Sequence, residues 1–158
     1  MTIFLFISIA TLSAYAVVMA KKYGVPTSLS ASYYMIKRGW AFQIALGVIG
    51  FSAMVYLLDA NAGMWYQFIS FFATAALIFV AFSPDYKQML EGKVHGVAAI
   101  ISAVASVLLT VSMGCWYVPA VVFTIFAPFI KKSKNRVFWA EMACFGSMYL
   151  SLMLKLIS

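Results

Sequence analysis

Lys131-Lys132-Ser133-Lys134-Asn135-Arg136 separates two apolar stretches, residues 115–130 and 137–157, and its placement decides how often this chain crosses a bilayer. The stretch before it is short and carries Pro119 and Pro128. Folded back on itself, it would leave five spans. Carried across, it makes six, and the basic run then falls on the same side as the other basic connections. Cytoplasmic connections collect Lys and Arg because translocating them is costly. The six-span reading is therefore preferred.

The other basic residues obey the same alternation. Lys21, Lys22, Lys37 and Arg38 lie in the first gap between apolar stretches, and Lys87 and Lys93 lie in the third. The second and fourth gaps hold no Lys or Arg, so ten of the eleven basic residues follow one rule. A spanning helix needs about 20 mostly apolar residues. Residues 2–20, 41–58, 64–82, 94–113, 115–130 and 137–157 supply the six. The predicted fold class is all-α, a single-domain transmembrane bundle with both termini outside. Lys155, off the pattern, can snorkel to the outer interface.

Composition points the same way. Of 158 residues, 65% are hydrophobic and 9% charged, with a mean hydropathy of +0.99. Soluble domains have about 25% charged residues, so a soluble globule could not hide this much apolar surface. The net charge of +7 is confined to juxtamembrane connections, which explains it without nucleic acid as a partner and makes anionic headgroups the natural counterpart. Cys115 and Cys144 have no zinc or redox spacing and read as reduced packing residues. Ser13-Ala14-Tyr15-Ala16 resembles a leader cleavage site. However, charge follows the apolar core at Lys21-Lys22 rather than preceding it, which suits a retained first helix.

The expected outer connections are tiny: Asp59-Ala60-Asn61-Ala62-Gly63, and Gly114 alone. The first cytoplasmic loop is longer. Pro26, Thr27, Ser28 and Ser30 form a helix-start signature, and Leu29, Tyr33, Ile36 and Trp40 share one helical face. This predicts an amphipathic interfacial helix closed by Gly39. In the third loop, Asp85 is a cap with Gln88 at the reciprocal position, and Gly92 is a C-terminal stop. Small residues mark helix contacts: Gly47, Gly50 and Ala53 in the second span, and Ala98, Ser102, Ser106 and Thr110 in the fourth. The second stripe reads as packing, with a polar pathway lining as its alternative. Trp40, Trp65, Tyr66, Trp116, Tyr117 and Trp139 read as interfacial anchors.

Candidate chemistry gathers on the basic side. His95 is the only histidine and sits at the cytoplasmic mouth of the fourth span. Glu141 is the one acid inside a span, about a turn deeper than Arg136, where it could pair with Arg136 or Lys134 or serve a site. Asp85, Lys93, Ser28, Ser30 and Tyr34 share that side. Each has a bland alternative, such as a cap, an interfacial hydrogen bond or an ion pair. A catalytic zinc site needs three protein ligands, which one His and two nearby acids do not supply. A Ser–His–Asp set from Ser28 or Ser30, His95 and Asp85 is arithmetically allowed, but no phosphate-binding glycine loop is present.

The strings Gly24-Val25-Pro26-Thr27-Ser28-Leu29-Ser30-Ala31-Ser32-Tyr33-Tyr34, Phe82-Ser83-Pro84-Asp85 and Glu91-Gly92-Lys93-Val94-His95-Gly96-Val97-Ala98-Ala99 resemble those of small uncharacterised multi-pass proteins from gut Bacteroidales and their phages. That resemblance implies a bacterial or phage source; with six spans, the expected location is the bacterial inner membrane. The Pro-Asp and His-Gly-x-Ala-Ala portions also faintly resemble bacterial families near the CREST membrane-hydrolase superfamily. That likeness implies a metal site of Ser, Asp and several His, which a single His cannot build within one chain. The expected function is a non-enzymatic bundle whose cytoplasmic-facing pocket, from Ser28, Ser30, Tyr34, Asp85, Lys93, His95 and Glu141, binds a small ligand, a lipid headgroup or a partner. No cofactor or metal is expected. The expected partners are membrane lipids and, in a homo-oligomer, further copies of the chain. A small transporter or channel lined by Glu141 and the fourth-span hydroxyls is the first alternative, and a membrane-embedded hydrolase the second.

Overall fold

The computed structural model describes residues 1–83 and 89–157, with the side chains of 89–91 also outside its scope. Asp85 and Gln88, the expected cap pair of the third loop, lie outside the described residues.

Among the described residues all regular structure is helical: α1 (Thr2–Lys22), α2 (Ser32–Met35), α3 (Trp40–Ala60), α4 (Gln67–Phe82), α5 (Met89–Ser112), α6 (Tyr117–Lys132) and α7 (Arg136–Ile157). Four of these, α1, α3, α5 and α7, are long and apolar enough to cross a membrane. The other two long helices, α4 and α6, have 16 residues each, about 24 Å at 1.5 Å per residue.

The helices pack in a spatial order that departs from chain order only at the end. α1 lies on α3, α3 on α4, α4 on α5, α5 on α7, and α7 on α6. α7 therefore sits inside the bundle while α6 is an outer layer that buries only Val118, Pro119 and Val122. The core runs from Leu5 and Leu12 through Phe42, Leu46, Ile49 and Leu57 to Leu109, Phe145, Met148 and Leu152.

The surface is far more apolar than that of a soluble protein, and hydroxyl groups are mixed into the apolar core. Ser8, Ser70, Ser106, Thr110, Ser147 and Ser151 are fully buried, whereas Phe51, Phe79 and Ile100 stand more than half exposed. An apolar exterior around a hydroxyl-rich interior is compatible with a membrane protein, whose helices associate through small residues and interhelical hydrogen bonds. Gly50 shows why small residues are needed. A methyl group added there would sit 2.8 Å from Ile78 Cγ1 of α4, so α3 and α4 reach this separation only with glycine.

The two ends of the bundle differ. At one end α3 turns into α4 through Gly63 (φ +74°), and α5 into α6 through Gly114 (φ +83°), a backbone region that favours glycine. Asn61 Nδ2 donates to Ser70 Oγ at 3.0 Å and Gln67 Nε2 to the Leu58 carbonyl at 3.0 Å, welding the first of these turns. At the other end, Asn135 Nδ2 of the basic run donates to the Val25 carbonyl of the first loop at 2.9 Å.

Several expectations change. The short amphipathic helix expected in the first loop, with Leu29, Tyr33, Ile36 and Trp40 on one face, is not formed; one turn, α2, is all that winds, and Leu29 is buried while Trp40 is exposed at the start of α3. Gly39 precedes α3 instead of closing a helix, and the Tyr33 ring fills the space where its side chain would be. Gly92 lies within α5 instead of stopping a turn. α4 begins at Gln67, three residues later than residue 64, because residues 61–66 are spent on the turn. Pro128 sits inside α6, which continues to Lys132; its missing N–H removes only one bond near the helix end.

Candidate functional site

The site begins with the unmet hydrogen bonds at the start of α7. The first N–H groups of a helix have no intrahelical acceptor. Here the first loop supplies one, because Phe138 N donates to the Thr27 carbonyl at 3.1 Å. With Asn135 bound to Val25, the chain from 25 to 29 is laid across the head of α7. Leu29 N then donates to Glu141 Oε2 at 2.6 Å. A half-buried carboxylate thus receives a backbone donor from a loop 112 residues earlier.

The same loop is braced from α1. Ser32 Oγ donates to the Leu29 carbonyl, so its single proton is used, and the Tyr15 hydroxyl donates to it in turn. Ser28 Oγ accepts from Ala31 N at 3.0 Å and lies 3.1 Å from Ser30 Oγ. Serine hydroxyls commonly stabilise tight turns in this way. Tyr33 packs edge-on against Phe42 of α3 and against Tyr34.

Behind the loop is a small internal cavity of about 20 Å³, lined by Leu29, Ser30, Leu46, Leu77, Val80, Ala99, Ser102, Glu141 and Phe145. A buried water needs roughly 10–15 Å³ and two to four polar partners. Ser30, Ser102 and Glu141 can supply three. The cavity therefore takes a species of water's size and excludes anything larger while the loop is docked.

The candidate residues are divided among separate places. Ser30 and Glu141 meet at this cavity, with Ser28 one hydrogen bond away. Tyr34 lies on the loop, against Tyr33. His95 is buried at the head of α5, with Nδ1 2.8 Å from the Ser83 carbonyl. A carbonyl can only accept, so Nδ1 carries a proton in that bond. Lys93 lines a different feature, an outward apolar groove between α4 and α5. Asp85 is outside the described residues. Among the described residues, no three His, Cys, Asp or Glu side chains gather as metal ligands do.

Two participants escaped sequence reading. The Leu29 amide could not be found from side chains, since it is a backbone group. Ser102 was visible as one of a stripe of small residues, but not as the member that turns outward from its helix. Its hydroxyl donates to the Ala73 carbonyl of α4 at 2.7 Å. Ser106 and Thr110 donate to carbonyls four residues back in α5, and Ser147 and Ser151 do so in α7. Comparisons of the chain with family models, with curated proteins and with solved structures find no match.

Proposed function

We propose that this chain is a six-span, non-enzymatic protein of a bacterial inner membrane, with both termini outside, whose internal site binds a small monovalent cation from the cytoplasmic side. The observation that carries this reading is the convergence of the Glu141 carboxylate with Ser30 and Ser102 on a water-sized cavity beneath a docked loop. Oxygen atoms are the ligands hard cations take. An isolated ionisable group among apolar helices is costly and is retained where it serves a pathway or a site. The tie between Asn135 and Val25 supports the orientation, since it puts the first and last basic connections at one end. α4 and α6 would cross with local thinning of the bilayer, which costs fractions of a kcal/mol per Å.

The test is thermal unfolding of purified protein in lithium, sodium, potassium or choline chloride at equal ionic strength. A bound ligand raises stability by RT ln(1 + [L]/Kd). One or more of the metal cations should raise the midpoint above that in choline, which is too large for the cavity, and Glu141→Gln should remove the difference. Equal midpoints in all four salts, or a difference that persists in Glu141→Gln, would overturn the reading.

Transport of that cation is a second reading, favoured by one observation. Ser102, at the cavity, is the first of the buried row Ser102, Ser106 and Thr110 on α5. Cation-dependent flux into proteoliposomes that Glu141→Gln abolishes would establish it. Binding without flux would leave a binding protein.

A further inference from the structure

A groove with a charged end plays no part in the Glu141 site. It lies between α4 and α5 and encloses about 480 Å³. Phe71, Phe72 and Phe79 of α4 form one wall, Val97 and Ile101 of α5 the other, and Lys93 stands at one end. From Lys93 to Ile101 the groove follows eight residues of helix, about 12 Å at 1.5 Å per residue. Lys93 marks the end nearest the basic connections, because it lies one turn into α5 and His95, two residues on, bonds the carbonyl of Ser83 just after α4.

We propose that this groove binds an anionic phospholipid, one acyl chain lying along the Phe and Val walls and the phosphate paired with the Lys93 ammonium. The apolar length and the terminal cation, the one charged side chain among the described lining residues, match the two halves of such a lipid. Charge selects this groove from its neighbours. The groove between α1 and α3 is of similar size, about 500 Å³, yet it is lined by Ala10, Thr11, Ala14, Tyr15, Val18 and Ala45 with no charged side chain. The groove beside Phe123 and Cys144 has no cation either. General lipid solvation would fill all three alike; only the α4–α5 groove can distinguish a headgroup. The binding is independent of cation binding at Glu141.

The experiment is native mass spectrometry of the protein released from vesicles of equal parts phosphatidylglycerol and phosphatidylcholine. The wild-type protein should retain phosphatidylglycerol over phosphatidylcholine by about fivefold, the ratio expected for one lysine acting on one anionic headgroup. Lys93→Gln should bring that ratio close to one while some lipid is still retained. Val97→Trp, at an exposed position on the groove wall, should fill the groove and lower retention of both lipids. Equal retention of the two lipids by the wild type would overturn the proposal. So would an unchanged ratio in Lys93→Gln, or undiminished retention in Val97→Trp.

Discussion

The hydroxyl of Ser8 on α1 meets the hydroxyl of Tyr149 on α7, 141 residues later, inside the bundle. Ser8 Oγ already donates to the Ile49 carbonyl of α3 at 2.8 Å, so Tyr149 is the donor to Ser8. One serine therefore ties three helices. Interhelical hydrogen bonds in membranes contribute about 0.6–2 kcal/mol. Ser8→Ala should destabilise the bundle more than Tyr149→Phe, because it strands both the Tyr149 hydroxyl and the Ile49 carbonyl. A double-mutant cycle, read by reversible unfolding in mixed micelles, should return a coupling in that range. Additive effects would show that the two hydroxyls act separately.

Gly50 and Ile78 fix the separation of α3 and α4. Overfilling a packed interface costs about 1–3 kcal/mol. Gly50→Leu should lose that much stability, and adding Ile78→Ala should recover part of it. Gly96, beside which an added methyl would meet nothing within 4 Å, is the control, and Gly96→Ala should be close to neutral. Equal losses at Gly50 and Gly96 would remove the close-approach explanation.

A hydrogen bond contributes about 0.5–1.5 kcal/mol, and up to about 3 kcal/mol when a charged group accepts it, and a tenfold change in an equilibrium corresponds to about 1.4 kcal/mol. The Leu29 amide should accordingly be among the slow-exchanging amides of the first loop. Glu141→Ala should speed its hydrogen exchange by tenfold or more. Glu141→Gln, whose side-chain oxygen still accepts, should speed it less. The same amide exchanging at loop rates in the wild-type protein would mean that the loop is not docked on α7.

Orientation can be read chemically. In a variant with Cys115 and Cys144 replaced by Ala, a cysteine at Ala62 should react with an impermeant maleimide added to intact cells. A cysteine at Lys132 should react only after the membrane is opened. Labelling of both from outside would contradict the six-span path, because α6 would then fail to separate the two positions.

Much of this architecture was legible in the chain because bilayers impose a coarse rule. Length, apolarity and the alternation of Lys and Arg predicted helices close to those observed, whereas Pro128, read as able to bend or stop the fifth stretch, lies inside α6, which runs on to Lys132. The close approach at Gly50 followed from the same logic. What stayed hidden was the path of residues 23–39. Leu29, Tyr33, Ile36 and Trp40 do share a helical period, but the unmet N–H groups at the head of α7 and the carboxylate of Glu141 draw the loop into another shape. Those attractions are long-range and involve backbone atoms, so no local period records them. Gly92 misled for the opposite reason. As a residue it favours a stop, yet the helix passes through it, between Glu91 and Lys93, and on into the apolar run that follows.

The docking of the first loop on α7 also sets a clock for biogenesis. Chains are made at about 5–20 residues per second. The 112 residues between Leu29 and Glu141 therefore take roughly 6 to 20 s to appear. Through that interval the loop has been synthesised but its partners on the far side, the donors Asn135 and Phe138 and the acceptor Glu141, are not yet all made. A nascent chain stalled before α7 would present the Leu29 amide without its acceptor at that end of the bundle, a feature that quality-control proteases could read as unfinished.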